Sequence, residues 1–313
     1  MTIDHKFIDQ FVNITSKAAV ASYNLIGKKD KIAADKATVD SMRNNLNQLN
    51  IKGKIVIGEG ELDEAPMLYI GEEVGTRNGP EIDIAVDPLE GTNFAANNLP
   101  GALSVIAIAE KNNLFNAPET YMEKISANVN EKGVVDLDYS TKENIFNLCE
   151  YLNKKPESIT ACVMDRPRHK KIITELSKIG AKIKLISDGD ISGALLVTDE
   201  KYDVDIFLGI GGSPEGVLAA SALNSFNCIF QGRFLFDTEV DKLRASKMGI
   251  KNLTKKYELN EIVKGDSIFC ATGITSGDLV SGIKVENDKL TTETLVTHKS
   301  SGIKKVIKKV VNS

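Results

Sequence analysis

Histidine is scarce in this chain: His5, His169 and His298 are the whole supply, and no G-x-S-x-G stretch accompanies them. A serine nucleophile needs a positioned base, so triad hydrolysis is poorly served, and acid–base work falls to carboxylates and metal-bound water. Cysteine is equally thin. Cys149, Cys162, Cys228 and Cys270 are scattered without C-x-x-C spacing, and three of them lie in or beside apolar runs. That usage fits buried, reduced thiols better than a disulfide framework. Long hydrophobic runs are missing too. The longest clear one, residues 103–109, is far too short to span a bilayer, and residues 1–10 hold no signal-like apolar core. A cytoplasmic protein without a membrane partner is expected. There is no basic excess either: the net charge is −4, which argues against nucleic acid as the main partner. Small phosphorylated substrates need only a few local cations and stay possible. A Walker A motif is absent, and residues 209–214 (GIGGSP) fail as a dinucleotide loop. Pro214 stands where the third glycine belongs, and Glu215 would repel a pyrophosphate. That turn fits better as a presenter of Glu215 to a metal.

What is present suffices for two domains and a large core: 313 residues, 42% hydrophobic and 26% charged. Apolar residues three and four apart predict a helix over 4–26, and Val39, Met42, Leu46 and Leu49 predict a second, with Asp35 at its N-cap. Residues 51–57 and 82–87 read as strands, 66–73 and 141–152 as helices, and 154–158 as a linker. Between about 110 and 140 the pattern is too weak to assign. From 159 onward strands alternate with helices, which predicts a largely parallel sheet. The polar loops 165–169, 188–190 and 211–216 would then share the carboxyl ends of its strands, where ligands bind in such sheets. The tail from Lys299 reads as a solvated helix face. The expected domains are 1–157 and 158–313.

The densest chemistry follows the strand at 82–87. Asp87-Pro88-Leu89-Glu90-Gly91-Thr92 sets two carboxylates three residues apart around a proline turn, then a glycine and a hydroxyl. Hard oxygen ligands in that arrangement suit Mg²⁺ or Mn²⁺. Thr92 would open the next turn or helix, where backbone N–H groups favour an anion. The plainer alternative is a capped turn with solvated carboxylates. Gly58-Glu59-Gly60-Glu61 with Asp63 and Glu64 is either a loop shaped for a ligand or a solvated acidic loop. Arg166-Pro167-Arg168-His169 reads as an anion clamp stiffened by its proline, or as an exposed basic loop. Asp188-Gly189-Asp190 suits sugar hydroxyls or a metal, or is a plain turn.

In one order these segments resemble the class II fructose-1,6-bisphosphatases of the GlpX type. The resemblance runs through 27–35, 55–72, 83–92, 116–124, 166–169, 188–190, 209–217, 271–279 and 291–295. It implies a layered α/β sugar-phosphatase fold like that of inositol monophosphatase, with two α/β subdomains and the site between them. It implies hydrolysis of the 1-phosphate of fructose 1,6-bisphosphate, with sedoheptulose 1,7-bisphosphate or both sugars as the alternative. A non-catalytic sugar-phosphate-binding regulator is a third reading. By the same resemblance Asp35, Glu59, Asp87, Glu90 and Glu215 hold Mn²⁺ or Mg²⁺, and Thr92 sits at the reacting phosphate. Glu90, Gly91, Thr92, Tyr121, Arg166, Pro167, Arg168, Asp188, Gly189, Asp190 and Gly212 match substrate contacts. Some members carry Lys-Pro-Arg where this chain has Arg166-Pro167-Arg168, with no change of charge. A dimer or tetramer is implied as well.

Overall fold

The computed structural model describes residues 3–58 and 68–311. The chain parts into two compact units. One takes the described residues up to Asn116 together with those from Val263 onward, and the other runs Ala117–Ile262. The compact units therefore do not divide at 157/158. The C-terminal strands return to the first sheet, and residues 154–158 lie inside the second unit, where Pro156–Ser158 makes a single 3₁₀ turn.

In the first unit, β1 (Lys52–Ile57), β2 (Glu73–Val74), β3 (Glu81–Glu90) and β4 (Leu103–Glu110) join four strands from the far end of the chain. These are β11 (Ser267–Gly273), β12 (Lys284–Glu286), β13 (Lys289–His298) and β14 (Ile303–Val311). Among the described residues the eight make one sheet ordered β12-β13-β11-β4-β3-β1-β2, with β14 added on β13. Two helices cover it, α1 (Phe7–Ala21) and α2 (Lys31–Leu46). Phe11, Val12, Ile14 and Ala18 from α1 pack with Val39, Met42 and Leu46 from α2 against Ile55, Ile84, Ile106 and Ile268 of the strands. The helical spacing of those apolar residues is what buries one face of each helix. The long first helix expected over 4–26 ends at Ala21 and gives way to a 3₁₀ turn, Tyr23–Leu25.

The second unit holds β5 (Tyr121–Ala127), β6 (Thr160–Met164), β7 (Lys182–Ile186), β8 (Ile206–Gly212), β9 (Ile229–Leu235) and β10 (Lys256–Glu258). They form a sheet ordered β10-β9-β5-β8-β6-β7. The helix α4 (Thr141–Leu152) has the expected bounds and starts on a capping box of Ser140 and Glu143. With α5 (Lys170–Ile179) it buries Ile145, Leu148 and Leu176 against Ile125, Val163 and Ile206. The helices α6 (Asp190–Leu195) and α7 (Ser213–Leu223) pack on each other and on the strands, and α7 is apolar nearly all round because almost all of it is buried.

Three sequence expectations are corrected here. Among the described residues the pairing is mostly antiparallel, and only β1–β3, β6–β7 and β6–β8 are parallel. The unassigned stretch around 110–140 supplies β5, which enters antiparallel between β8 and β9, and the C-terminal strands are linked antiparallel. The lysine-rich tail is the strand β14. A turn closed by Gly302 at φ 68° folds it back along β13, and Ile303 and Ile307 reach the core while Lys304, Lys305 and Lys308 stay outside. The short helix expected over 66–73 has its first two residues outside the described ones. The remainder is a turn at Ile70 and Gly71, closed by the Glu72 N–H donating to Tyr69 O, and it joins β1 with the Ile55 N–H donating to Glu72 O and the Gly71 N–H to Ile55 O.

Candidate active site

In the first unit, β3 runs apolar and buried from Ile82 to Val86, except for Asp83, which burial pushes up in pKa and which accepts the Asn113 and Leu114 N–H groups. The strand then reaches the acids. Its pairing with β4 slips between Asp87 and Glu90, where Pro88 offers no N–H to the ladder. Glu90 is buried at the strand's end, and Gly91 turns the chain in the left-handed region at φ 74°. Thr92 then opens the short helix α3 (Thr92–Asn97). An added Cβ at Gly91 would sit 3.0 Å from the Phe94 ring. The residue types and the tight bend are both required by this corner.

Asp35 lies inside α2, not at its start. The cap is Asp30, whose carboxylate accepts the Ala33 N–H at 2.9 Å. Ala34 and Leu89 share one apolar cluster with Phe94 and Ala95, so this turn of α2 packs against the segment that carries Asp87 and Glu90. Burial pushes the Asp35 carboxyl up in pKa, with no other cause at work. A half-buried carboxylate so placed is what a divalent cation would relieve, and the oxygen donors Asp35, Asp87 and Glu90 fit Mg²⁺ or Mn²⁺. Among the described residues no three His, Cys, Asp or Glu side chains already stand around one ion position. Glu59, and the Glu61, Asp63 and Glu64 loop with it, lie outside the described residues.

In the second unit the sequence-predicted loops come together. Because β6, β7 and β8 are mutually parallel, the loops that follow them open at one edge of the sheet. The first loop carries Arg166, Pro167 and Arg168, with Pro167 opening a 3₁₀ turn. The second carries Asp188 and Gly189 (φ 86°) and leads into Asp190 at the start of α6, and at the third junction Gly212 ends β8 and Glu215 stands in the first turn of α7. Tyr121 starts β5 directly opposite Gly212. The Arg168 guanidinium stands over the Tyr121 ring at 4.9 Å, and its Nε donates to Ile210 O at 2.9 Å. Arg166 faces Asp188 with Nη2 and Oδ1 3.6 Å apart.

Two residues to which the sequence assigned no role in the site, although both lie in the segments named above, hold this edge together. His169 is fully buried. Its Nδ1 lies 2.7 Å from Met164 O, and its Nε2 accepts the Ile210 N–H at 2.8 Å. The ring is therefore neutral with its proton on Nδ1, and burial lowers its pKa. Lys124 is only 1% exposed and pairs with Asp190, while its Nζ also donates to Gly212 O at 2.6 Å. Asp190 Oδ2 and Glu215 Oε2 fill the places that Cβ atoms at Gly211 and Gly212 would take. Burial pushes the Glu215 carboxyl up in pKa, and Lys124 opposes that. Lys124 shares a face of β5 with buried Met122 and Ser126, but Ile125 and Ala127 on the other face are buried as well, so no alternation in the sequence marks it. Nothing in the sequence marks His169 as buried.

A family model described as bacterial fructose-1,6-bisphosphatase, glpX-encoded, matches residues 5–311. A protein of Synechococcus sp. (strain CC9902), named D-fructose 1,6-bisphosphatase class 2/sedoheptulose 1,7-bisphosphatase, is 44% identical over 308 residues, 94% of this chain and 92% of that one. A protein of the same name from Prochlorococcus marinus (strain MIT 9515) is 42% identical over the same shares. The mixed α/β architecture with two helix-covered sheets accords with a layered α/β phosphatase fold. Among the described residues no helix is long and apolar enough to cross a membrane. This chain belongs to the bacterial, glpX-encoded fructose-1,6-bisphosphatases, a family of metal-dependent phosphatases.

Proposed function

We propose that this chain hydrolyses the 1-phosphate of fructose 1,6-bisphosphate to fructose 6-phosphate and phosphate, in the cytoplasm, as a dimer or tetramer. The observation that carries the reading is the common edge of β6, β7 and β8. There two arginines, an aromatic ring and two hydroxyl-accepting carboxylates are gathered. Forked guanidinium groups suit a phosphate that is bound but not cleaved, and Asp188 and Asp190 suit the sugar hydroxyls between the two phosphates. Asp35, Asp87, Glu90 and Glu215, with Glu59, are the residues that would hold Mn²⁺ or Mg²⁺. When bound, such an ion neutralises phosphoryl charge and lowers the pKa of a water. Thr92 offers its hydroxyl at the reacting phosphate, attacking directly or orienting the water. Gly91 and buried Glu90 fix where that hydroxyl starts from.

The names of the relatives favour a second substrate, sedoheptulose 1,7-bisphosphate, alongside the first. Purified protein assayed for phosphate release with Mn²⁺ or Mg²⁺ over fructose 1,6-bisphosphate, sedoheptulose 1,7-bisphosphate and inositol monophosphate tests both. Turnover of either bisphosphate, lost with EDTA, is expected. Binding of fructose 1,6-bisphosphate without phosphate release would make the chain a sugar-phosphate-binding regulator instead. Light scattering on the same preparation checks the assembly.

A further inference from the structure

We propose that Lys124 is a positioning residue for the sugar end of the substrate: it clamps one carboxylate oxygen of Asp190 to the Gly212 carbonyl and so aims the other oxygen at a substrate hydroxyl. The inference rests on the sugar-bisphosphate reading above and deepens it. A lysine that is 1% exposed has given up its hydration, and such an ammonium persists only with acceptors around it. Both of its hydrogen bonds go to this site, to Asp190 and to Gly212 O. Its stem is held as well: a Cβ at Gly216, in the first turns of α7, would meet Met122 Sδ at 2.6 Å and Lys124 Cδ at 3.3 Å. The lysine therefore ties three elements at one point, β5 by its own backbone, α6 through Asp190 and the β8–α7 junction through Gly212.

Asp190 supplies the independent observation. It is 6% exposed, and its Oδ1 is buried with no hydrogen-bond donor among the described residues. A buried carboxylate oxygen without a donor is costly, and such groups are kept where a ligand brings the missing partner. A sugar hydroxyl is a donor of that kind. Lys124 occupies Oδ2 and leaves Oδ1 for the ligand. Its field also reaches Glu215, but neither of its hydrogen bonds does, so its effect belongs to the sugar and not to the metal.

The test uses the whole protein and steady-state kinetics. Lys124→Met keeps the length of the stem and removes the ammonium. We expect KM for fructose 1,6-bisphosphate to rise at least tenfold, with kcat and the half-saturating Mn²⁺ concentration each within threefold of wild type. That pattern marks the loss of uniform substrate binding. A shift confined to the Mn²⁺ constant would overturn the proposal by moving the role to Glu215. An unchanged KM would reduce Lys124 to a structural anchor and overturn it too. Because Lys124→Met leaves a buried carboxylate alone, the double variant Lys124→Met/Asp190→Asn replaces the pair with neutral groups and protects folding. Its KM should match that of Asp190→Asn within twofold, since Lys124 acts only through Asp190. Multiplicative effects of the two substitutions would refute this. A wild-type protein that releases no phosphate would sink the sugar-bisphosphate reading itself and this inference with it.

Discussion

His169→Ala should lower both stability and substrate affinity, by a route that can be followed bond by bond. β8 lies between β5 and β6, but β6 pairs with it only at Ala161–Ile206 and Cys162–Phe207. By Ile210 the neighbouring strand has gone, and two side chains of the β6–α5 loop replace it. His169 Nε2 takes the Ile210 N–H, and Arg168 Nε donates to the Ile210 carbonyl. Removing the imidazole orphans the Ile210 N–H, whereas Met164 O keeps the Arg166 N–H at 2.9 Å. One orphaned, half-buried N–H and the void left by the ring together cost about 2–4 kcal/mol. A loss near 3 kcal/mol moves the melting temperature of a domain of this size by about 6–12 °C. Loosened Ile210 also frees Arg168 from its place over Tyr121, so KM for fructose 1,6-bisphosphate should rise about fivefold while kcat stays within threefold.

The pH dependence of the same variant has a definite sign. Burial holds the His169 pKa below its ordinary value of 6.5, with Arg168 adding to the effect and the Met164 hydrogen bond opposing it. The unfolded chain thus binds the proton more readily than the folded one. The contribution is full above about 6.5 and is lost as pH falls from there toward the folded value. The stability gap between wild type and His169→Ala should therefore be widest at pH 7–8 and narrow on acidification below 6.5. His169→Gln, whose amide oxygen can still accept the Ile210 N–H, should recover part of the loss. Thermal melts by circular dichroism between pH 5 and 8, with KM at pH 7.5, decide the matter. A melting temperature within 1 °C of wild type at pH 7.5, or an unchanged KM despite a large drop, would refute the reasoning.

Three further outcomes are expected. Asp87→Asn, an isosteric change at the end of β3, should cut kcat at saturating Mn²⁺ by at least a hundredfold and leave the circular dichroism spectrum unchanged; near-normal turnover would remove Asp87 from the metal set. Thr92→Ser should retain a measurable rate and Thr92→Ala very little, and equal rates in a phosphate-release assay would show that the hydroxyl takes no part. Gly91→Ala places a Cβ in the left-handed region and 3.0 Å from the Phe94 ring. It should cost about 1–2 kcal/mol in urea unfolding, together with a drop in kcat because the bend carries Thr92.

How much of this could be read from the sequence follows from where each signal is local. Asp87, Glu90, Gly91 and Thr92 were legible because an apolar run that ends in acids, a proline and a glycine is a contiguous pattern, and the structure sets it at the end of β3. The loops after β6, β7 and β8 were legible for the same reason: each is a polar cluster that interrupts an apolar strand. The antiparallel insertion of β5 was not legible, because pairing is decided across the sheet, and burial of Ile125 and Ala127 on one face and of Met122, Lys124 and Ser126 on the other leaves no clean alternation. The tail misled because its paired lysines fit a solvated helix face as readily as an edge strand; pairing with β13 along its length decides the matter. Asp35 has the residue type of a cap, but Asp30, five residues earlier, performs that role. Lys124 and His169 were hidden for a deeper reason. Lysine and histidine are read as surface or reactive residues by default, and only the fold reveals that their partners are Asp190, 66 residues away, and Ile210, 41 residues away. The motifs that contain Lys124 and His169 do not show what these residues do, because their work is to join segments that the chain keeps apart. For that reason substitution at Lys124 or His169 should disturb substrate affinity in ways that no single loop of this sequence foretells.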